Sequence, residues 1–333
     1  MHRLKCALQR TLIGATLIAV LAVTSLVHGG DVSIHSVESW STAFGGEESA
    51  YHFDVKSARR IDARASWTLS AKERVLARGT LQVQASPDAP GKLEIRLKLP
   101  EARPELILPV SLNVSIDDTS GPTTLEKPLW LFPKDPFVDQ RQRLQKMNIV
   151  LFDPVKTTAD VFQKMKIPFE ETRSPEAVNE GMLIIGEGIS FREFRQLPRQ
   201  LIEAAGRGVR VLCLAPESGT APLPLLNADD GPQPTRFVLG RSDMITQLDK
   251  RLDAASWPPD GEVVASSIVL SAQRSGIVGD VESTNKGWSW LEADFGDKGG
   301  KLVVCGFAII KKWDSGPTPR FLFERVLNHL DKQ

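Results

Sequence analysis

Apolar and polar residues alternate in short runs through the first part of the chain: Ile61, Ala63, Ala65, Trp67 and Leu69; Leu81 and Val83; Leu93, Ile95 and Leu97; Leu112, Val114 and Ile116. A period of two sends one face of a strand into a core and the other into water, so each run predicts a half-buried antiparallel strand. Trp67, in mid-strand, is expected in that core. The intervening segments 86–91, 100–104 and 117–122 are rich in turn formers. No segment before residue 140 carries a helical period, and short strands at this spacing predict a β-sandwich. A last strand over 128–133 (PLWLFP) and Lys134-Asp135-Pro136 close this part of the chain.

Beyond a charged connector at 141–146 the period changes. Residues 147–152 (MNIVLF) predict a short buried strand, followed by a helix with Ala159, Val161, Phe162 and Met165 on one side. Strands are expected at 181–186 (GMLIIG), 209–215 and 301–310, and helices at 191–205, 242–254 and 319–330, the first of these ending at Gly206-Arg207-Gly208. Alternating strands and helices imply right-handed crossovers and a doubly wound, mainly parallel sheet. The stretch 218–234, with Gly219, Pro222, Pro224, Gly231, Pro232 and Pro234, predicts a long loop over the strand edge. The plan is therefore multidomain: a leader or anchor at 1–30, an all-β sandwich at 31–136, a connector at 137–146 and an α/β domain at 147–333.

The first thirty residues set the address. Arg3, Lys5 and Arg10 precede residues 11–27, which hold no charge, and His28-Gly29-Gly30 follows. This predicts a secretory signal and a periplasmic or extracellular protein; an uncleaved segment would instead anchor it to a membrane. Cys6 precedes the apolar run, so the lipoprotein pattern does not apply. The 41 basic and 41 acidic residues balance, which gives no electrostatic footprint for nucleic acid. Beyond Cys6 the cysteines are Cys213 and Cys305, each inside an apolar run and each expected as a buried free thiol. The α/β part holds a single histidine, His329.

The order LIIGEGI, a helix, GVRVLCLA, the late strand KLVVCGFAII and a terminal helix resembles a class I glutamine amidotransferase-like domain, in the degenerate form found beside β-sandwiches in bacterial secreted glycosidases. SWTLSAKERVLARGTLQV, the prolines after LEIRLKL, and LWLFPKDPF are similar to the immunoglobulin-like modules of those enzymes. The two resemblances cover most of residues 55–333 and imply an immunoglobulin-like sandwich followed by a flavodoxin-like α/β domain. An active amidotransferase places a cysteine on a sharp, glycine-flanked strand-to-helix turn, with a His and a Glu two residues on as base and orienter. Cys213 stands near the nucleophile position, but it lacks the glycines and Pro216 follows it. Where His-x-Glu should stand the chain reads Gly306-Phe307-Ala308-Ile309-Ile310.

Other chemistry is thinner. Gly186-Glu187-Gly188 lacks the third glycine of a dinucleotide loop, and Glu187 would repel a phosphate, so Ser190 is read as a helix entry that could also touch a ligand. Glu187 and Glu217 follow consecutive strands, at the carboxyl edge where open α/β sheets hold ligands, and paired carboxylates there would serve glycoside hydrolysis. Trp288 and Trp290 alternate, so both rings are expected on one face, a stacking surface for sugar if exposed and core filling if covered. No cofactor or metal is called for. The leading expectation is an exported non-catalytic protein that binds a glycan or a protein partner. The alternatives are a hydrolase using sheet-edge carboxylates or an atypical Cys213, and a membrane-anchored structural envelope component.

Overall fold

A computed structural model describes residues 31–119, 121–217, 220–223, 231–274, 277–281, 287–296 and 299–332. The proposed signal segment lies outside them. No helix among the described residues is long and apolar enough to cross a membrane.

Two sheets face each other in the N-terminal part. One is antiparallel, in the order β1 (Val32–Ser36), β3 (Glu48–Ser57), β6 (Gly91–Lys98). The other runs β2 (Thr42–Phe44), β8 (Gly121–Phe132), β7 (Leu108–Asp118), β4 (Ile61–Ala71), β5 (Arg74–Ala85), with only β2 parallel to its neighbour. Their inward residues form one core: Tyr51, Phe53 and Val55 from β3 and Leu93, Ile95 and Leu97 from β6 meet Ala65, Leu69, Leu112, Val114 and Ile116. This is a β-sandwich. Trp67 is half-buried at the core margin, where it lies over Gly79 of β5; a Cβ at Gly79 would sit 2.6 Å from Trp67 Cζ2.

The C-terminal part is built on a seven-stranded sheet. Its strands are β9 (Ile149–Phe152), β10 (Glu170–Glu171), β11 (Met182–Ile185), β12 (Arg210–Leu214), β14 (Arg236–Gly240), β17 (Trp290–Phe295) and β18 (Gly300–Cys305). The order is β10-β9-β11-β12-β18-β17-β14; the first five are mutually parallel, while β17 and β14 pair antiparallel. Alternate residues feed two separate cores. Ile149, Leu151, Met182, Ile184, Leu212, Leu214, Val303 and Cys305 pack under helices α2 (Thr157–Lys164), α4 (Asp243–Leu248) and α5 (Pro317–Asp331). Leu183, Ile185, Val211, Cys213, Leu302 and Val304 pack under α3 (Leu197–Gly206). Near-continuous apolar strands are what burial on both faces requires.

Several expectations change. The connector segment 141–146 is itself a helix, α1 (Arg141–Lys146), with Leu144 buried. The helix expected from 191 begins only at Leu197, because Pro198 has no N–H and fits a first turn, not an interior. The helix expected to run to 254 stops at Leu248: Asp249 is extended, and its Oδ1 accepts Arg251 N–H at 3.0 Å, a local bond that competes with helix. The stretch expected as a loop at 218–234 contains β13 (Thr220–Leu223), which pairs with β15 (Ser267–Arg274), itself paired with β16 (Ile277–Val281), in a small third sheet.

The two parts are bonded together. The Asp253 carboxylate accepts Ser41 N–H (2.8 Å) and Oγ–H (2.7 Å), and Thr42 N–H (3.0 Å) and Oγ1–H (2.7 Å). Around this clasp Phe132 stacks on Phe321 at 4.6 Å, and the Arg320 guanidinium lies 4.7 Å over the Phe44 ring.

Candidate functional site

The carboxyl ends of β9, β11 and β12 bring Asp153, Glu187 and Glu217 to one edge of the sheet. Glu187 is buried, and both of its oxygens are occupied: Ile310 N–H donates to Oε2 (2.6 Å) and Lys311 N–H to Oε1 (3.1 Å). Its own N–H donates to Thr158 Oγ1 at 2.9 Å. Burial pushes the Glu187 carboxyl up to about 7, against the pull of the two backbone donors and the Lys311 ammonium. The side chain is an anchor for the turn that follows β18. Glu217 is exposed, with its backbone N–H on Ile189 O at 2.8 Å. Glu187 is thus turned to the 310–311 turn, and Glu217 is held on the surface.

Asp153, not singled out from the sequence, is 6% exposed. Its Oδ2 accepts Ala159 N–H at 2.8 Å, while its Oδ1 has no hydrogen-bond partner. The signal was Asp153-Pro154 directly after an apolar strand, a place where the chain must turn into a helix.

Cys213 lies inside β12, fully buried against the α3 side of the sheet. Burial, with the neighbouring Cys305 thiol, holds its pKa well above the ordinary thiol range. Burial likewise pushes Cys305 up to about 12, against the Phe307 N–H. The strands bearing the two cysteines are adjacent, but Cys213 pairs with Val304 and Leu214 with Cys305. The two thiols therefore face opposite cores, and both are free. A disulfide would need both side chains on one face. Ser190 is half-buried; its carbonyl accepts Glu193 N–H (3.2 Å) and Phe194 N–H (3.0 Å), a turn ahead of α3.

The tryptophans do not share a face. Trp290, first residue of β17, is fully buried in the core under α5, whereas Trp288 packs against the α3-side core with Arg241 5.2 Å over its ring. The two-residue rule fails because Trp288 precedes the strand: it bridges to Ile268, and Ser289 between them bonds to Gly240 and Gly306.

His329, the histidine of α5, sits at 2.8 Å from Glu292 Oε2, whose Oε1 takes Lys301 Nζ at 2.8 Å. Although burial opposes it, bonding to His329 and Lys301 takes the Glu292 carboxyl down to about 2. The group ties α5 to β17 and β18. Among the described residues no cluster of three or more His, Cys, Asp or Glu could hold a metal ion.

No family model matches the chain, and no curated protein matches it. Among solved structures, it is similar to the sporulation control protein Spo0M of Bacillus subtilis (14% identity, 35% of this chain and 55% of that one, TM-score 0.25). It is also similar to a cycloisomaltooligosaccharide glucanotransferase of Paenibacillus sp. (9%, 56% and 28%, TM-score 0.26). A third is a family 123 glycoside hydrolase of Clostridium perfringens (10%, 76% and 52%, TM-score 0.23). The chain therefore spans about half of the first and third of these proteins and under a third of the second. Likenesses this slight assign neither a fold family nor an activity to this chain.

Proposed function

We propose that this is an exported, non-catalytic protein in which an immunoglobulin-like sandwich supports an amidotransferase-like, flavodoxin-like α/β domain that binds a glycan or a partner protein. One observation carries the reading: the cysteine nearest the nucleophile position is an interior strand residue with its thiol in a sealed core. A thiol must ionise to attack, and among the described residues neither a histidine nor a carboxylate is bonded to this one to take its proton. The test is alkylation of the folded chain across pH, with Cys213→Ala as control. Labelling only after denaturation is expected; rapid labelling of the folded protein at neutral pH would overturn the reading.

The hydrolase alternative draws on Glu187, whose carboxyl near 7 is suited to proton transfer. Against it, both oxygens are held by backbone donors. Hydrolysis of aryl glycosides by the wild type, lost in Glu187→Gln, would favour it.

A further inference from the structure

The edge of the sheet opposite Glu187 carries an open cleft. It lies at the amino ends of β11, β12 and β18, encloses about 520 Å³, and is lined by Asn179, Glu180, Arg207, Arg210, Gly299 and Asp331, with further glycine backbone as floor. That size falls within the range of about 300–1,000 Å³ usual for small-molecule sites. The lining is almost wholly polar and charged.

Two guanidiniums dominate it, and each is held in place with donors to spare. Arg207 Nη2 donates to Glu176 O (3.0 Å) and Val178 O (3.1 Å), which fixes the fork and leaves its Nε and Nη1 donors without a protein acceptor among the described residues. Arg210 is half-buried and pairs through Nη1 with Asp331 Oδ1, leaving Nε and Nη2 without a protein acceptor among the described residues. Asp331 is also clasped by Arg143, whose Nε reaches Oδ2 at 2.9 Å. Asp331 is thus doubly compensated: two guanidiniums and two carboxylates line the cleft, and Arg143, outside the lining, adds a third guanidinium on Asp331. The Glu180 carboxylate has no partner among the described residues and the Asn179 side chain makes one bond, to Ala177 O.

We propose that this cleft binds a polyhydroxy monocarboxylate of the hexuronate class, a deepening that rests on the binding function proposed above. A carboxylate suits two preset guanidiniums, which form bidentate, charge-assisted bonds. Glu180 and Asn179 then accept from sugar hydroxyls. A dianionic phosphate brings a second negative charge against the unpaired Glu180, and a neutral sugar leaves the guanidiniums unmatched.

The test is calorimetric titration of the full chain with sodium glucuronate, with glucose and inorganic phosphate alongside. Glucuronate is expected to bind about tenfold or more tighter than either, and Arg207→Gln to weaken it about tenfold. Gly299→Asn offers a second variant: Gly299 has φ +70, which Asn tolerates, and a Cβ there meets open space, so the new side chain obstructs the cleft without disturbing the core. Thermal unfolding of both variants checks the fold. Absence of glucuronate binding, equal binding of glucose, tighter binding of phosphate, or unchanged affinity in a folded variant would each overturn the proposal. Such a failure leaves Cys213 unreactive and the general binding function standing, whereas a reactive Cys213 removes that function whatever the cleft does.

Discussion

Replacing Glu187 by Gln should change how stability depends on pH more than it changes stability at any one pH. The folded state holds this carboxyl up to about 7, against an ordinary 4.5, because it is buried. A raised carboxyl binds its proton more tightly when folded, so its contribution is complete below the unfolded value and is lost as pH rises through the folded one. Taking one pKa unit as about 1.4 kcal/mol, the wild type should lose about 2–3 kcal/mol between pH 5 and pH 8 through this group alone. Gln imitates the protonated form in shape and keeps one acceptor for the Ile310 and Lys311 donors, but it cannot titrate. Urea unfolding of both proteins at several pH values gives the difference, in which every other titrating group cancels. Parallel stability curves for the two proteins from pH 5 to pH 8 would refute the buried, doubly bonded placement of Glu187.

Asp253→Ala removes the acceptor for four donors on Ser41 and Thr42, and should cost about 2–4 kcal/mol with the sandwich unfolding separately from the α/β part, seen as two transitions by calorimetry in place of one. Gly79→Ala places a Cβ 2.6 Å from the Trp67 ring and should destabilise by about 1–3 kcal/mol with a change in tryptophan fluorescence; a neutral effect would contradict the Trp67–Gly79 packing. Glu292 has the opposite sign from Glu187: held down to about 2, it contributes stability above its ordinary 4.5 that is lost as pH falls through that window. His329→Ala should therefore flatten the acid limb of the stability curve, and an unchanged limb would remove His329 as its partner.

The layered plan was legible wherever one rule governed a whole element. Alternation located β4, β6 and β7, and continuous apolar runs located β9, β11, β12 and the start of β18, since burial on one face or two writes a different pattern; the last strand, expected to run to 310, ends at Cys305, and the apolar residues 307–310 are buried outside it. β13 contains Pro222, which reads as a breaker, yet a proline is tolerated where its missing N–H costs no ladder bond. The antiparallel pair β17 and β14 was hidden for another reason: strand direction depends on how the chain returns to the sheet, which no local period records. The site was less legible still. Glu187 meets its partner Ile310 across 123 positions, and Arg210 pairs with Asp331 only because α5 ends over the amino edge.

The perturbed groups of this chain show why a shifted pKa is only a pointer to function. Glu187, Cys213, Cys305 and Glu292 are displaced furthest in the α/β part, three by burial and one by its bonds to His329 and Lys301, and each has a structural use: a turn anchor, two core fillers and a helix tie. In a catalytic site such a shift is matched by an open face on which substrate meets the group. Here the oxygens of Glu187 and Glu292 are occupied by donors of the chain itself, and the Cys213 thiol is enclosed. The groups that do face an open cleft, Arg207 and Arg210, present guanidinium forks suited to binding a carboxylate. Their chemistry is recognition, and the binding proposal rests on these exposed groups, while the most displaced ones serve the packing of the fold.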